Sequence, residues 1–496
     1  MSIPITSRAL YTVDQVRRID QAAINHCGIP GFVLMQRAAA AAFALLLRRW
    51  PQARRIVVLA GHGNNGGDAF LLAQLARAEG LHVTALALGE ESRGDAEIAR
   101  AAFVKDGGII GITDLSTVLP DADVYVDGLF GTGLTRSIDG VAAALIAQLV
   151  TRYAAVLALD IPSGLNADTG VAEGPVVRAD TTISFVGWKR GLFTADAADR
   201  CGVLELAALD IPEAAFTGIA ADAGLLDRSI ASLLVPRGGN VNKGSFGHVL
   251  AIGGDEGMAG AVRLAAEAAL RVGAGLVSVA TRAAHIGALN AARPELMARA
   301  VDGPQSIESM LARASVLAVG PGLGQGAWGH ALWDAALRSG RSIVLDADGL
   351  NLLARDLRSL PSSAILTPHP GEAARLLECD IAAIQRDRFG AARALAARYR
   401  AVVVLKGAGS LIADAEGRVA VCPFGNPGMA SGGMGDVLTG VIAGLLAQGL
   451  DAWDAACLGV VAHAVAGDAA AGLAPRGLIA SDLFEPLREF VNGRLA

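Results

Sequence analysis

RIVVLAGHGNNGGDAFLLAQLARAEG, residues 55–80, decides the fold of the first half of the chain. The apolar run RIVVLAG over 55–61 predicts a buried strand, and the Ala- and Leu-rich run from Ala69 to Glu79 predicts a helix. A strand that turns straight into a helix opens a βαβ unit, so a parallel sheet covered by helices is expected. The turn itself, Gly61-His62-Gly63-Asn64-Asn65-Gly66, satisfies GxGxxG. Taken alone it has two readings. The glycines let a backbone approach a pyrophosphate at a helix N-terminus, or they make a tight turn with Asp68 near the helix start favouring the dipole.

Outward from this stretch the same rhythm repeats. Strands are expected at HVTALALG (82–89), DVYVDG (123–128), AVLALDIP (155–162) and TTISFVG (181–187), with an Ala-rich helix over Arg37 to Arg48. From about Ile211 to Asn242 the alternation lapses and Pro212, Pro236, Gly238 and Gly239 appear, which places a domain boundary near residue 225. Beyond it the pattern restarts with HVLAIGG (248–254), LVSVAT (276–281), SVLAVGPG (315–322), SIVLDADG (342–349), AILTPHPG (364–371) and AVVVLKGAG (401–409), with a helix from Met258 to Arg271. Two α/β domains follow, 1–225 and 226–496, each large enough to bury its own core.

Composition narrows the function. With 61 Gly, 53% hydrophobic and 18% charged residues, the chain suits Gly-rich loops around buried sheets, not disorder. A net charge of -6 gives no electrostatic footprint for nucleic acid. Cys27, Cys201, Cys379, Cys422 and Cys457 are scattered and without CxxC spacing, so neither a zinc site nor a disulfide framework is expected. The first residues lack a basic stretch followed by an apolar run. Long apolar runs are interrupted by Arg48, Arg49, Asp436, His463 or Asp468 before spanning length. A soluble, cytoplasmic chain with no membrane partner is the expectation, and the sequence leaves room for a homo-oligomer.

Two further loops join the GxGxxG turn. Asp127 ends DVYVD and opens Gly128-Leu129-Phe130-Gly131-Thr132-Gly133-Leu134-Thr135-Arg136-Ser137; Asp160 ends VLALD before Ile161-Pro162-Ser163-Gly164. Ligands of parallel sheets gather outside the carboxyl ends of strands, so three polar loops at one edge outweigh a reading in which each Asp merely caps a turn. NNGGD, DGLFGTGL and LDIPSG in this order resemble the epimerase domain of NAD(P)H-hydrate repair enzymes, over about residues 10–215. The resemblance implies a Rossmann-like three-layer domain that binds hydrated NADH or NADPH (NADHX, NADPHX). Asn64, Asn65, Gly66, Gly67, Asp68, Gly131, Thr132, Gly133, Leu134, Thr135, Arg136, Ser137 and Asp160 would contact this substrate. Asp160 would be catalytic, and Asn65, Asp127 and Ser163 would hold a potassium ion (K+). Oxygen donors suit a hard cation, and a carboxylate suits proton movement as a hemiaminal carbon inverts. Ala69 departs from the family's common Gly.

In the second half, Asn426-Pro427-Gly428-Met429-Ala430-Ser431-Gly432-Gly433-Met434-Gly435-Asp436 opens an apolar helix. Bare N–H groups and the helix dipole favour an anion there, while Asp436 alone also reads as a first-turn acid. His369 in Thr367-Pro368-His369-Pro370-Gly371-Glu372 reads alone as a loop histidine, and Lys406 in Lys406-Gly407-Ala408-Gly409-Ser410 as a solvated or helix-end charge. Together with Lys243-Gly244-Ser245-Phe246-Gly247-His248, Gly253-Gly254-Asp255, Met258-Ala259-Gly260-Ala261 and Gly320-Pro321-Gly322-Leu323-Gly324, they resemble the ADP-dependent NAD(P)H-hydrate dehydratase, a ribokinase-like fold, over about residues 230–493. The resemblance implies ADP on Lys406, Gly407, Ala408, Gly409, Ser410 and Gly435, and hydrated cofactor on Ala261, Gly324, His369 and Asp436. Asp436 would be the catalytic base, and Mg2+ would accompany the ADP. The implied sequence is epimerisation of the R and S hydrates, then ADP-dependent dehydration of the S hydrate with release of AMP and phosphate. Three other readings compete: a non-catalytic N-terminal binding module, a C-terminal kinase for a small alcohol, and a dehydrogenase using GxGxxG. Asp127 and Asp160, the HPGE and KGAGS loops, and the NNGGD continuation argue against them in turn.

Overall fold

The structure, a computed structural model, describes residues 8–134 and 136–495. It divides into two compact units, Met1–Gly224 and Leu225–Ala496. The strands, in chain order, are β1 (Ala9–Tyr11), β2 (Arg55–Ala60), β3 (His82–Ala87), β4 (Ile110–Ile112), β5 (Val124–Gly128), β6 (Ala155–Leu159), β7 (Thr181–Phe185), β8 (Trp188–Lys189), β9 (Val203–Ala207), β10 (Ala223–Leu225), β11 (His248–Ile252), β12 (Leu276–Thr281), β13 (Met297–Ala300), β14 (Val316–Val319), β15 (Ser342–Leu345), β16 (Ile365–Leu366), β17 (Val402–Leu405), β18 (Ser410–Ala413) and β19 (Val419–Cys422).

In the first unit a parallel sheet runs β4-β3-β2-β5-β6-β7-β9. Its strands alternate between two cores. Ile56, Val58, Ala60, Val124, Val126, Leu157 and Leu159 pack under helices α1 (Val13–Asn25), α2 (Gly31–Arg49), α3 (Asn64–Ala78) and α4 (Asp95–Lys105). Val57, Leu59, Tyr125, Val156 and Ala158 pack on the other face with α5 (Gly140–Val150). This period of two fixes the register, because a slip of one residue exchanges the faces. The chain winds one way through β2, β3 and β4 and the other way from β5, so the order reverses between β2 and β5. A crevice at that reversal is where a doubly wound sheet accepts ligands. Gly61 makes the crossing tight, since a Cβ there would stand 1.8 Å from the carbonyl oxygen of Leu129.

Two expectations need correction here. The helix after β2 begins at Asn64, not Ala69. Asn64 to Asp68 therefore form its first turns, which places Asp68 inside the helix. Glycines at 66 and 67 lower helix propensity but serve close packing: a Cβ would fall 2.0 Å from the Gly61 oxygen at Gly66 and 2.6 Å from the Met35 sulfur at Gly67. Charged residues also fail to shorten the apolar runs. Helix α2 and the helix Ala452–Ala471 are long and apolar enough to cross a membrane by length and composition. Arg48 and Arg49 sit at the end of the first, and His463 is accommodated within the second. In the protein, eight residues of α2 and fourteen of the other helix are buried in their unit's core.

The second unit has its own sheet, β13-β12-β11-β14-β15-β16-β17-β18-β19, parallel as far as β17 and antiparallel beyond. Again the order reverses, here between β11 and β14, and the loops after those strands meet: Asp255 N–H donates to Gly322 O at 2.6 Å. Its helices are α6 (Ala259–Arg271), α7 (Ile286–Ala292), α8 (Pro304–Leu311), α9 (Ala327–Arg338), α10 (Ala347–Arg355), α11 (Pro370–Leu377), α12 (Ile381–Arg386), α13 (Arg388–Tyr399), α14 (Met434–Ala447), α15 (Ala452–Ala471) and α16 (Phe484–Phe490). Helix α14 is apolar on every side and therefore central. It lies against α6 through small residues: a Cβ at Gly440 would come 1.9 Å from the Ala265 carbonyl oxygen, and one at Gly444 2.8 Å from that of Ala269.

The substitution Gly440→Ala should therefore push α14 off α6. We expect a loss of about 1–3 kcal/mol or more, seen as a lower thermal midpoint in differential scanning calorimetry. An unchanged midpoint would mean that the two helices separate without cost.

Candidate functional sites

At the first unit's sheet reversal lies a cavity of about 570 Å3. Among the anticipated residues, Asn64, Asn65, Asp68, Gly131, Thr132, Gly133, Leu134, Arg136 and Asp160 line it. Gly66, Gly67 and Ser137 do not, and Thr135 lies outside the described residues. Asp160, just past β6, takes a left-handed backbone with φ 65°, which an Asp tolerates better than most side chains. Its carboxylate receives the ammonium of Lys189, a side chain only 1% exposed that also donates to Phe185 O at 2.8 Å and Ser184 Oγ at 3.1 Å. Asp20 and Lys189 join the lining. Burial pushes the Asp20 carboxyl up to about 6, against the pull of Lys189 and with the help of Asp160. Burial raises Asp68 well above the carboxylate range, reinforced by Asp160 and Asp20.

Behind this cavity the loops after β5 and β6 are tied together. Ser163 Oγ donates to Asp127 Oδ1 at 2.6 Å, Ser163 N–H donates to Asp127 Oδ2 at 2.8 Å, and Phe130 N–H donates to Ser163 Oγ at 2.9 Å. Asp127 is fully buried and has no cationic partner among these contacts, so burial raises it to about 6 despite those donors. Asn65 is also buried, and among the described residues neither its amide nitrogen nor its amide oxygen has a hydrogen-bond partner. The carbons of Asn65 lie 3.4 Å from where a Gly131 Cβ would be.

The second unit gathers its polar groups around Lys406. Its ammonium donates to Asp346 Oδ1 at 2.7 Å and stands 3.8 Å from Glu372 Oε2. Thr439 Oγ1 donates to Asp346 Oδ2 at 2.8 Å. Burial works against the charge of Lys406, but Asp346 and Glu372 more than offset it and its pKa rises. Gly435 adjoins this pair, since a Cβ there would lie 3.2 Å from Lys406 Nζ and 3.5 Å from Asp346 Oδ2. Asp436, in the first turn of α14, has no hydrogen-bond partner among the described residues. Burial lifts it to about 7, with Asp346 adding and Lys406 opposing.

His369 caps α11: its Nδ1 accepts the Gly371 N–H at 3.0 Å, and Glu372 accepts the His369 N–H at 2.8 Å. Burial, then Lys406 and Arg375, lower the His369 pKa. Ala261 stands in the first turn of α6, 3.2 Å from where a Gly322 Cβ would be. Gly324 donates its N–H to Asp348 at 2.9 Å. Gly407, Ala408 and Gly409 turn the chain from β17 to Ser410, the first residue of β18. Lys406 is thus a buried partner of two carboxylates and not a solvated charge.

Comparison with known proteins separates the same two parts. A family model described as NAD(P)H-hydrate dehydratase matches residues 249–488, and one described as YjeF-related protein N-terminus matches residues 31–191. The bifunctional NAD(P)H-hydrate repair enzyme Nnr of Coxiella burnetii is 45% identical, with 97% of this chain and 99% of that one covered. The chain belongs to the bifunctional NAD(P)H-hydrate repair enzymes. Its relative of the same name in Escherichia coli is 42% identical over 99% of this chain and 95% of that one. Among solved structures, a ribokinase-like superfamily protein from Enterococcus faecalis is 28% identical with a TM-score of 0.51, covering 54% of this chain and 95% of its own. A Streptococcus mutans protein of the same TM-score is 29% identical and covers 55% and 100%. The ribokinase-like fold expected for the second half is the one found.

Several residues of this repair enzyme's sites escape a reading by motif. Asp346 carried a usable signal, because it ends SIVLD as Asp127 and Asp160 end their strands. Glu372 stood inside the HPGE loop without an assigned role. Lys189, Asp20 and Thr439 carried none, since only tertiary folding brings them to the carboxylates.

Breaking one of these pairs tests how far the fold depends on it. Lys406→Met leaves Asp346, 2% exposed, without its cation, and should cost about 3–5 kcal/mol. Asp346→Asn added to it should restore part of the loss in urea denaturation. Equal midpoints for wild type and Lys406→Met would show that Asp346 holds its charge unaided.

Proposed function

We propose that the second unit uses Asp436 as the base for phosphoryl transfer from ADP to the C6 hydroxyl of the S hydrate, supplied by the epimerase of the first. One observation carries this reading. Asp436 is a partly buried carboxylate at a glycine-opened helix start, raised to about 7 and unpaired, while the nearby lysine is engaged by Asp346. As the hydroxyl oxygen bonds to the β-phosphorus, its proton passes to Asp436 and AMP departs with the electrons of the broken P–O bond. Loss of phosphate from C6, with a proton from C5, then restores the dihydronicotinamide. Hydroxide is a far poorer leaving group, which is the reason to phosphorylate first. Glycine N–H groups at the start of α14 suit the phosphates, and Lys406 to Ser410 with Gly435 form the nucleotide side. Magnesium fits as a companion of those phosphates, which would supply most of its ligands. When bound it would neutralise charge on the transferred group.

In the first unit, inversion at the hemiaminal carbon needs a bond to C6 broken and remade on the opposite face. Asp160 is suited to accept the hydroxyl proton, and the adjoining Lys189 to return one. The uncapped N-terminus of α3 suits the substrate's phosphates. Potassium fits the donors behind the cavity: the buried Asn65 amide is unpartnered, Asp127 lacks a cation, and Ser163 adds a hydroxyl. When bound it would supply the positive charge that lets Asp127 ionise.

The activity is tested by incubating the chain with mixed hydrate epimers, with and without ADP, and following the absorbance of the reduced nicotinamide. Full recovery only with ADP is expected; recovery without ADP, or none at all, overturns the reading.

For Asp436 the base form is ionised, so kcat/KM for dehydration should fall as pH drops through about 7. Asp436→Asn should keep ADP binding and lose about a hundredfold or more in rate. A folded mutant at the wild-type rate removes the assignment.

Potassium and a proton compete for Asp127, whose carboxyl is protonated below about 6. Potassium affinity, titrated against sodium in a choline background, should therefore weaken as pH falls from 8 to about 5. A flat profile would count against this ion site.

A further inference from the structure

Next to the second site a cavity of about 420 Å3 is lined by Gln325, Asn351, Ala354, Arg355 and Arg375. Among the described residues, two guanidiniums and no carboxylate line it. Asp348 ties this cavity to the substrate side: its Oδ2 accepts the Gly324 N–H at 2.9 Å, and its Oδ1 accepts from Gln325 Nε2 at 2.9 Å and Asn351 Nδ2 at 3.4 Å. Both amides have thus turned their N–H groups toward Asp348. The donors left for a ligand are those of the arginines. Arg375 gives one N–H to Asn351 Oδ1 at 2.9 Å, which sets the direction of its guanidinium. Arg355, the last residue of α10, has no hydrogen-bond or ion-pair partner among the described residues. Arg375 also lies one turn along α11 from Glu372, and its charge reaches both Glu372 and His369.

We propose that Arg355 and Arg375 bind the 2′-phosphate of hydrated NADPH, so that this cavity is where the dehydratase distinguishes it from hydrated NADH. The proposal rests on the reading of Gly324 and His369 as substrate contacts. A terminal phosphate carries close to two charges and three equivalent oxygens, which match two forked guanidiniums. A pyrophosphate spreads single charges over two groups and suits backbone N–H donors instead. A bare ribose hydroxyl offers two arginines little. The bland reading gives Arg355 the part of a last-turn cation that steadies its helix; it predicts no selectivity.

The test measures ADP-dependent dehydration by the full chain with each S hydrate, for Arg355→Ala, Arg375→Ala, the double variant and Arg355→Lys. The ratio of kcat/KM for the NADPH hydrate to that for the NADH hydrate should fall about tenfold for each alanine variant. The fall should lie in KM, be larger in the double variant, and be partly recovered by Arg355→Lys. An unchanged ratio overturns the proposal, whether both hydrates suffer equally or neither does, and so does a loss confined to the KM for ADP. Should the wild type dehydrate neither hydrate, the reading of the site fails separately. Calorimetric titration with NADP+ and NAD+ then decides the subsite: a preference for NADP+ lost in the double variant supports it, and equal affinities in wild type or an unaltered preference overturn it.

Discussion

A carboxylate buried beyond the end of a parallel strand needs a positive partner, and both units are organised by that need. Removing a carboxylate from water costs several kcal/mol even after the protein relaxes around it. Asp160 follows β6 and meets Lys189; Asp346 follows β15 and meets Lys406. Lys189 is buried and Lys406 partly so, and each depends on its carboxylate to hold its charge away from water. The glycines around them are a consequence. At Gly435 a side chain would press on the lysine ammonium, and at Gly61 and Gly440 it would meet backbone.

Why the strand ends carry the chemistry follows from the topology. All seven strands of the first sheet and the first seven of the second point the same way, so their following loops emerge on one edge. In the first unit the cavity lies where the strand order reverses; in the second the loops at the reversal meet, and the polar groups gather after β15, β16 and β17. Helix N-termini open onto the same edge, bringing unpaired N–H groups beside the carboxylates. The two units share one order for their seven parallel strands, third-second-first-fourth to seventh, and the second adds antiparallel β18 and β19, yet an acid and a cation meet at the edge of each.

The alternation of strands and helices was plain in the sequence because apolar runs of five or six residues ended in Gly or Asp. Strands β1, β4, β8, β9, β10, β13, β18 and β19 were not, since two to five residues carry too little periodicity to stand out. The start of α3 was misplaced because Asn and Gly read as a loop, while packing against Met35 and Gly61 overrides their low helix propensity. For the sites, motifs identified the glycines, the strand-end acids Asp127 and Asp160, and Asp436 at the start of α14. Lys189, the partner of Asp160, and Lys406 and Thr439, the partners of Asp346, come from other elements than the acids they meet. A lysine is recognisable as a counter-ion only after the fold has delivered it to a carboxylate.

The difference between the two units lies in which acid is left unpaired. In the first, Lys189 reaches Asp160, one of several carboxylates that line the cavity, which sets an acceptor and a donor side by side for the inversion proposed above. In the second, Asp346 and Glu372 engage Lys406, and Asp436 stands apart with a raised affinity for protons. An unpaired acid near 7 suits a step that takes a proton in one direction, since its ionised form is available at neutral pH yet basic enough to accept the proton of a hydroxyl. Pairing Asp436 directly with Lys406 would lower its basicity and weaken it as a base. In the proposed mechanism the buried Asp346 acts from outside the chemistry: by engaging the lysine and by its own charge, it raises the proton affinity of Asp436.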